Sequence, residues 1–364
     1  MDRRLTVRQF HGHRGFSEIC ESWHELMRSI SLQFFYHHPA WFQAYFDRPD
    51  VRGDMYFRCA YQDDRLVGVL PLYFVRSFAG VIRTARMPDY DGLYMPDLAV
   101  SDDVCLSSVW SAMTSPDARA LDSKWDVFLA NGVLEESTAA RCLALADNDI
   151  VTSSIEGRCA VLDVSSYDEV VRQFKRKFRG NLNNAKRRIQ LEPDVHFLSI
   201  SEPDELLPAF EEFVQLELSG WKGRRELRDE YPAPAAIGLK QSKYLFYRNI
   251  VREFGRVDAI RIILLKVGGR AIGAQICIHL NAFCFVLKTA FDEAYRKYSP
   301  GHLVLDFMYR QLADAGRIKH ICLITDYHWF RYWNPRYLNY VRIKSFRKSL
   351  KGRVISAAYN VKRR

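Results

Sequence analysis

Two stretches of the chain repeat one pattern of apolar and polar positions. Met55-Tyr56-Phe57-Arg58-Cys59-Ala60 predicts a strand, Asp63-Asp64 a turn, and Leu66-Val67-Gly68-Val69-Leu70-Pro71-Leu72-Tyr73 the returning strand. Later, Ala259 to Lys266 predicts a strand, Gly268-Gly269 a turn, and Ala271 to Ile278 the return. Each return carries a glycine near its start, Gly68 or Gly273, and the shared layout predicts an internal structural duplication. Cys159-Ala160-Val161-Leu162-Asp163-Val164 predicts a strand near the junction of the halves, which is expected within residues 152–168.

Helical spacing follows that strand. Phe174, Phe178, Leu182, Ala185 and Ile189 form one apolar stripe at helix period, with Lys175, Arg176, Arg179, Lys186, Arg187 and Arg188 toward the other faces. Phe283 to Thr289 predicts an apolar strand, and Ala290 to Pro300 a loop. Leu303, Val304, Phe307, Met308, Gln311 and Leu312 predict a helix that Gly316 stops, and Ile318 to Thr325 predicts another strand. The order strand, loop, helix, strand sets a helix N-terminus at the end of a strand. Unpaired N–H groups and a partial positive charge there suit a phosphate.

The balance of 48% hydrophobic, 26% charged and 13% aromatic residues over 364 positions is that of a globular chain of about two domains. It excludes a coiled coil, a collagen-like chain and a disordered tail. The net charge of +10 is concentrated in two segments: eight basic residues and no acidic one over 172–190, and nine and none over 341–364. Ile343, Phe346 and Leu350 make a short amphipathic basic helix the expectation in the second. The apolar run 271–287 is broken by Gln275, His279 and Asn281 and reads as two strands, so no membrane span is expected. The first residues lack the apolar core of a signal peptide, and a cytoplasmic location is expected. The cysteines (20, 59, 105, 142, 159, 277, 284 and 322) form no CxxC pair, and no metal is expected.

Arg296-Lys297-Tyr298-Ser299-Pro300-Gly301 resembles the pyrophosphate loop of GNAT-type N-acyltransferases, Q/R-x-x-G-x-G/A. Arg296 holds its first position and Gly301 its last, with Ser299 where glycine is usual. The run from Leu287 to Gly301 resembles the signature of the CelD/BcsL-type acyltransferases, double-GNAT proteins often encoded with cellulose or other exopolysaccharide genes. Leu216-Glu217-Leu218-Ser219-Gly220-Trp221-Lys222-Gly223, Asn184 to Ile189, Pro39-Ala40-Trp41, Gly68 to Leu72 and Asp89-Tyr90-Asp91-Gly92-Leu93 agree with it, so the likeness spans roughly residues 35–335. It implies an α/β (α+β) fold of two tandem GNAT-like domains, each a mixed central sheet flanked by helices, related to the Fem aminoacyl transferases. The expected division is 1–157, without its own cofactor site, 158–340, the acyltransferase domain, and 341–364, a basic C-terminal segment. Phe330-Arg331 stands where the family has Tyr-Lys; arginine keeps the charge but cannot release its proton.

Acyl transfer from a thioester needs a neutral amine, a stabilised oxyanion and a protonated leaving thiolate. By resemblance, a backbone N–H near Lys288-Thr289-Ala290 meets the oxyanion, with the Lys288 charge beside it. Arg296, Lys297, Ser299, Gly301 and His302 hold the donor with Thr289 and Ala290. Asp292 orders the loop or takes a proton, Asp326 binds or deprotonates the amine, and Tyr332 protonates the thiolate. Asp89, Asp91, Trp221, Lys222 and Arg331 face the acceptor. The expected activity is transfer of a group other than aminoacyl from acyl-CoA, or an acyl carrier protein, to an amine of a sugar, amino acid or exopolysaccharide precursor. Nucleic acid is not the expected partner. Two alternatives stand beside it: a Fem-like transferase using aminoacyl-tRNA, which the basic helix would track, and a non-catalytic basic adaptor with a degenerate GNAT fold.

Overall fold

The computed structural model describes residues 5–47, 55–77, 79–89, 95–114, 125–145, 149–223 and 236–361. In chain order its elements are β1 (Leu5–His11), α1 (Gly12–Met27), α2 (Pro39–Phe46), β2 (Met55–Gln62), β3 (Arg65–Ser77), β4 (Ile82–Arg86), β5 (Ala99–Val100), α3 (Leu106–Thr114), β6 (Val127–Leu134), α4 (Thr138–Ala144) and β7 (Asp149–Asp163). Then come α5 (Tyr167–Gln173), α6 (Arg176–Ile189), β8 (Val195–Ile200), α7 (Pro203–Ser219), α8 (Gln241–Gly255), β9 (Ile260–Val267), β10 (Arg270–Leu280), β11 (Phe283–Phe291), α9 (Pro300–Ala315), β12 (His320–Cys322), β13 (Arg336–Arg347) and α10 (Leu350–Val361). Both predicted hairpins are present, as β2–β3 and β9–β10.

The chain forms two units. Unit 1 comprises Met1–Phe42, Arg52–Arg158 and Leu338–Arg364; unit 2 comprises Gln43–Val51 and Cys159–Tyr337. In unit 1 the strands run β1-β2-β3-β4-β6-β13, antiparallel except for the parallel pair β4–β6. In unit 2 they run β8-β9-β10-β11-β12-β7, antiparallel except for the parallel pair β11–β12. Each unit is thus an antiparallel meander, a helical crossover (α3 or α9) to a parallel strand, and a last antiparallel strand. The last strand of each follows the other unit in the chain: β7 closes unit 2 and β13 closes unit 1.

The glycines noted in the returning strands have one steric role. A Cβ on Gly68 would lie 2.7 Å from Met113 and 3.0 Å from Val109 of α3; one on Gly273 would lie 3.0 Å from Pro300 and 3.0 Å from Val304 of α9. In each unit the bare backbone lets the crossover helix close on the sheet.

Four residues of the stripe, Phe178, Leu182, Ala185 and Ile189, lie on α6 and are buried in the unit 2 core; the fifth, Phe174, is corrected, since it ends α5 and the backbone is extended at 174 and 175 before α6 begins. The expectation for 341–364 is corrected. Ile343 and Phe346 belong to β13, where Val341 and Ile343 enter the unit 1 core and Lys344 pairs with Leu129 of β6. The helix begins only at Leu350, and the segment is part of unit 1 rather than an appendage. Burial alternating along the strand overrode a spacing that also fits a helix. No helix among the described residues is long and apolar enough to cross a membrane.

Candidate functional site

The site lies in unit 2, where β11 outruns its parallel neighbour. β12 pairs with β11 only through Phe283, Cys284 and Phe285, opposite His320, Ile321 and Cys322. On its other side β11 stays paired with β10 as far as Phe291, with Leu287 bulged out of register. The Asp292 N–H donates to Ile272 O (2.9 Å), which sets the alternation of the ladder. Lys288 and Ala290 therefore turn their backbone groups toward β10, and Thr289 and Phe291 turn theirs toward the free edge. Of the three residues expected to meet an oxyanion, Thr289 is the one whose N–H faces that edge.

β12 leaves β11 for a local reason. Leu323 N–H donates to Ala160 O (2.9 Å) and Ala160 N–H to Thr325 O (3.0 Å), with Ile324 between them at φ 56°. A buried β-branched residue in the left-handed region is costly, by about 1–2 kcal/mol. The bend keeps the chain on β7 and opens the gap beside β11.

The loop after β11 is a 3-10 turn, Glu293–Tyr298, capped by Asp292, whose Oδ1 accepts the Ala294 N–H (2.9 Å). Its Oδ2 accepts from Arg270 (2.9 Å), so both carboxylate oxygens are engaged in ordering the loop. Ser299 takes φ 52°, ψ 56°, the left-handed conformation for which glycine is usual, and α9 starts at Pro300. A Cβ on Gly301 would meet nothing within 4 Å, so the first turn of α9 fronts open space.

Positive charge gathers there. Tyr298 is buried, donates its hydroxyl to Glu192, and carries Arg188 (5.3 Å) and Lys297 (4.7 Å) over its ring. The basic helix α6 thus contributes to the loop's surface, together with exposed Arg296. His302 sits in the first turn of α9 among Phe178, Trp329, Tyr332 and Trp333. Trp333 donates its indole N–H to His302 Nδ1 (3.0 Å). An indole nitrogen only donates, so the neutral imidazole carries its proton on Nε2. Burial lowers the His302 pKa to about 4, which keeps the ring neutral.

The segment after α7 reaches the β11 edge. Lys222 Nζ donates to Thr289 O (2.9 Å) and to Glu217 Oε1 (3.2 Å), and Glu217 Oε2 accepts the Ile237 N–H (2.7 Å). Trp221 N–H donates to Glu293 Oε1 (3.2 Å). Burial and then the Glu217 carboxylate raise the Tyr327 phenol above its usual range. Thr289, Trp221, Lys222 and Tyr327 are therefore one neighbourhood around Glu217 and Glu293. Lys288 is buried on the opposite face of β11, its Nζ 4.9 Å from the Tyr247 ring centroid.

Other expected residues lie elsewhere. Tyr332 is 38% exposed and stacks on Phe178 (5.4 Å) with Arg331 over its ring (5.3 Å), beside α9 rather than beside Thr289. Asp326 is half-buried just beyond the Ile324 bend. Asp89 is an exposed residue of unit 1, and Asp91 lies outside the described residues. A groove of about 190 Å³ runs along α6, β8 and α9, but no β11 residue lines it. Its Asp306 is already paired with Lys186 (2.8 Å) and Arg310 (3.2 Å). Among the described residues no His, Cys, Asp and Glu side chains group as a metal site.

The sequence reading passed over Glu217 and Tyr327. Glu217 stood inside the stretch 216–223 singled out above, and an acid five residues before a lysine was the available signal. Nothing in the sequence placed Tyr327 before Tyr332.

Residues 176–331 match the family model of the acetyltransferase (GNAT) domain. No curated protein matches the chain by sequence. In fold the chain is similar to FemX, with a TM-score of 0.60 at 10% identity, covering 93% of this chain and 97% of that one. It is also similar to the C-terminal domain (DUF2156) of a putative lysylphosphatidylglycerol synthetase from Agrobacterium fabrum (TM-score 0.52, 10% identity, 94% and 96% covered). L-PGS from Bacillus licheniformis is a further likeness (TM-score 0.51, 13% identity, 92% and 94% covered). The matched acetyltransferase (GNAT) domain thus lies within unit 2, and unit 1 repeats the strand topology of that unit.

Proposed function

We propose that the chain is an N-acyltransferase that moves an acyl group from acyl-CoA, or from an acyl carrier protein, to an amine of a sugar, amino acid or exopolysaccharide precursor. One observation carries the reading: β11 has no strand partner on one side from Val286 to Phe291, where Lys222 holds Thr289 O, and it leads to the open first turn of α9. Arg296, Lys297 and Arg188 supply positive charge for the donor's anionic end, with His302 presenting a neutral N–H. Thr289 N–H meets the carbonyl oxygen as it becomes negative, and Lys222, held on Thr289 O, adds positive charge nearby. Asp326 accepts the amine's proton. Tyr327, which its surroundings keep protonated, gives a proton to the departing thiolate in place of the expected Tyr332.

The test is thioester consumption by the purified chain over a panel of amines. We expect turnover with at least one amine and an increase of about tenfold or more in donor KM for Arg296→Ala, the loss of one charge-assisted contact. No thioester consumption, and no effect of Arg296→Ala on donor binding, would refute the proposal.

A second reading has its own support. The expected exclusion of aminoacyl groups finds no backing in the fold, which FemX shares. The first turn of α6 exposes Lys175, Arg176 and Lys177 with no acidic residue beside them. Under this reading charged tRNA is the donor; its binding would weaken steeply with salt, and coenzyme A would give no signal.

A further inference from the structure

One buried side-chain oxygen on the strand beside β11 has no hydrogen-bond donor. Gln275 of β10 is fully buried, and its Oε1 meets no hydrogen-bond donor. Folded chains keep few such groups, because an acceptor removed from water and left unpaired is costly.

Its surroundings show where a donor would arrive. The same-face neighbours of Gln275 on β10 both meet α9: a Cβ on Gly273 would lie 3.0 Å from Val304, and Cys277 Sγ lies 3.4 Å from Met308 Sδ. Gln275 therefore projects into the layer between the sheet and α9. Its Nε2 donates to Thr289 Oγ1 at 3.3 Å, which sets the amide head over β11. Thr289 is only half-buried, and its backbone faces the edge that β12 has left. The orphan acceptor thus lies beside the gap, on the face of the sheet where the open first turn of α9 receives the donor's anionic end.

The geometry points to Gln275 as a positioning residue whose Oε1 accepts an amide N–H from the arm of the thioester donor lying along β11. This rests on the acyl-transfer reading above and names what that site reads. A phosphate or a thioester carbonyl offers acceptors only and leaves Oε1 unpaired. The secondary amides of a pantetheine-type arm carry the N–H it needs. Gln275 recognises the arm and takes no part in the bond changes.

The experiment measures binding to the full chain with three probes: coenzyme A, pantetheine, which has the arm alone, and adenosine 3′,5′-bisphosphate, which has phosphates without the arm. Gln275→Met keeps the volume and removes the polar atoms; Gln275→Leu is measured beside it as a second apolar replacement. The expected result is a loss of about tenfold for coenzyme A and pantetheine, the equivalent of one neutral hydrogen bond, with adenosine 3′,5′-bisphosphate unchanged. The unfolding midpoint of the ligand-free chain should hold or rise, because the variant no longer buries an unpaired acceptor. Unchanged affinity for coenzyme A, or an equal loss for all three probes, overturns the assignment of Gln275 and leaves the acyl-transfer reading standing. A wild-type chain that binds neither coenzyme A nor pantetheine overturns both.

Discussion

Lys222 and Glu217 form the ion pair at the β11 edge, and removing either partner should have a different effect. Their side chains are 14% and 1% exposed, so the carboxylate is the more deeply buried charge. Lys222→Met would leave Glu217 ionised in the interior, held by the Ile237 N–H (2.7 Å) without its cation. Breaking a buried pair in this way costs about 3–5 kcal/mol. Glu217→Gln is milder: the amide oxygen can still accept from Ile237, and Lys222 keeps Thr289 O. A cost of about 1–2 kcal/mol is expected, that of a weakened charge-assisted bond.

The double variant carries the decisive sign. Lys222→Met with Glu217→Gln contains no buried charge, so it should be more stable than Lys222→Met alone by about 2 kcal/mol. Urea unfolding followed by tryptophan fluorescence measures all four chains. In thermal terms Lys222→Met should lower the transition of unit 2 by on the order of 10 °C, at roughly 2–4 °C per kcal/mol for a unit of this size. If Lys222→Met costs under about 1 kcal/mol, or the second substitution deepens the loss, the pair is a solvated contact rather than a desolvated one.

Three further outcomes follow from named contacts. Ser299→Gly relieves about 1–2 kcal/mol of left-handed strain against about 0.5–1 kcal/mol of added chain entropy, so a small rise in unfolding midpoint is expected and a fall would contradict the geometry. Gly68→Ala and Gly273→Ala should each cost about 1–3 kcal/mol, because each new methyl presses a crossover helix, whereas Gly301→Ala should be neutral or stabilising; equal effects at all three in denaturant titrations would refute the shared steric role. Burial lowers His279 and His302 to about 4 and His38 to about 3, so each is neutral when folded and gains its proton on unfolding below its usual 6.5. The stability they contribute is therefore full above pH 6.5 and is lost as pH falls toward 4, by up to about 1.4 kcal/mol per pH unit for each. Urea midpoints from pH 7.5 to 4.5 should show this slope, His302→Gln should lessen it by one proton, and a flat profile would refute it.

The sequence made the hairpins legible because strand period and turn residues are local: Asp63-Asp64 and Gly268-Gly269 both take positive φ at the turns read for them. The α6 stripe was legible for the same reason. The exchange of β7 and β13 was not, because strand partners are chosen between segments far apart in sequence and leave no local trace. Ile343 and Phe346 fit two periods at once, and pairing with β6 decided between them. At the site, the loop was readable as far as Ser299 and Gly301. The partners of Lys222 were not, since Thr289 and Glu217 reach it only through the fold.

Why the chemistry should belong to one unit of a duplicated pair follows from a difference between equivalent strands. In unit 1, β4 meets its parallel neighbour over its last residues: Thr84, Ala85 and Arg86 pair with Val127, Phe128 and Leu129, and Met87 N–H extends the contact to Leu129 O (3.1 Å). In unit 2, β11 meets its neighbour over its first residues and then runs on unpaired on that side. The same topology therefore pairs the end of the fourth strand with its parallel neighbour in one unit and leaves it without a strand partner in the other. On the proposed reading, the register of a single parallel pair is what leaves the β11 backbone available to an extended donor arm. The helix that follows keeps its close approach in both, through Gly68 and Gly273. This supports the proposed assignment of donor binding to unit 2, and it predicts that lengthening the β11–β12 pairing would abolish that binding even with the loop sequence intact.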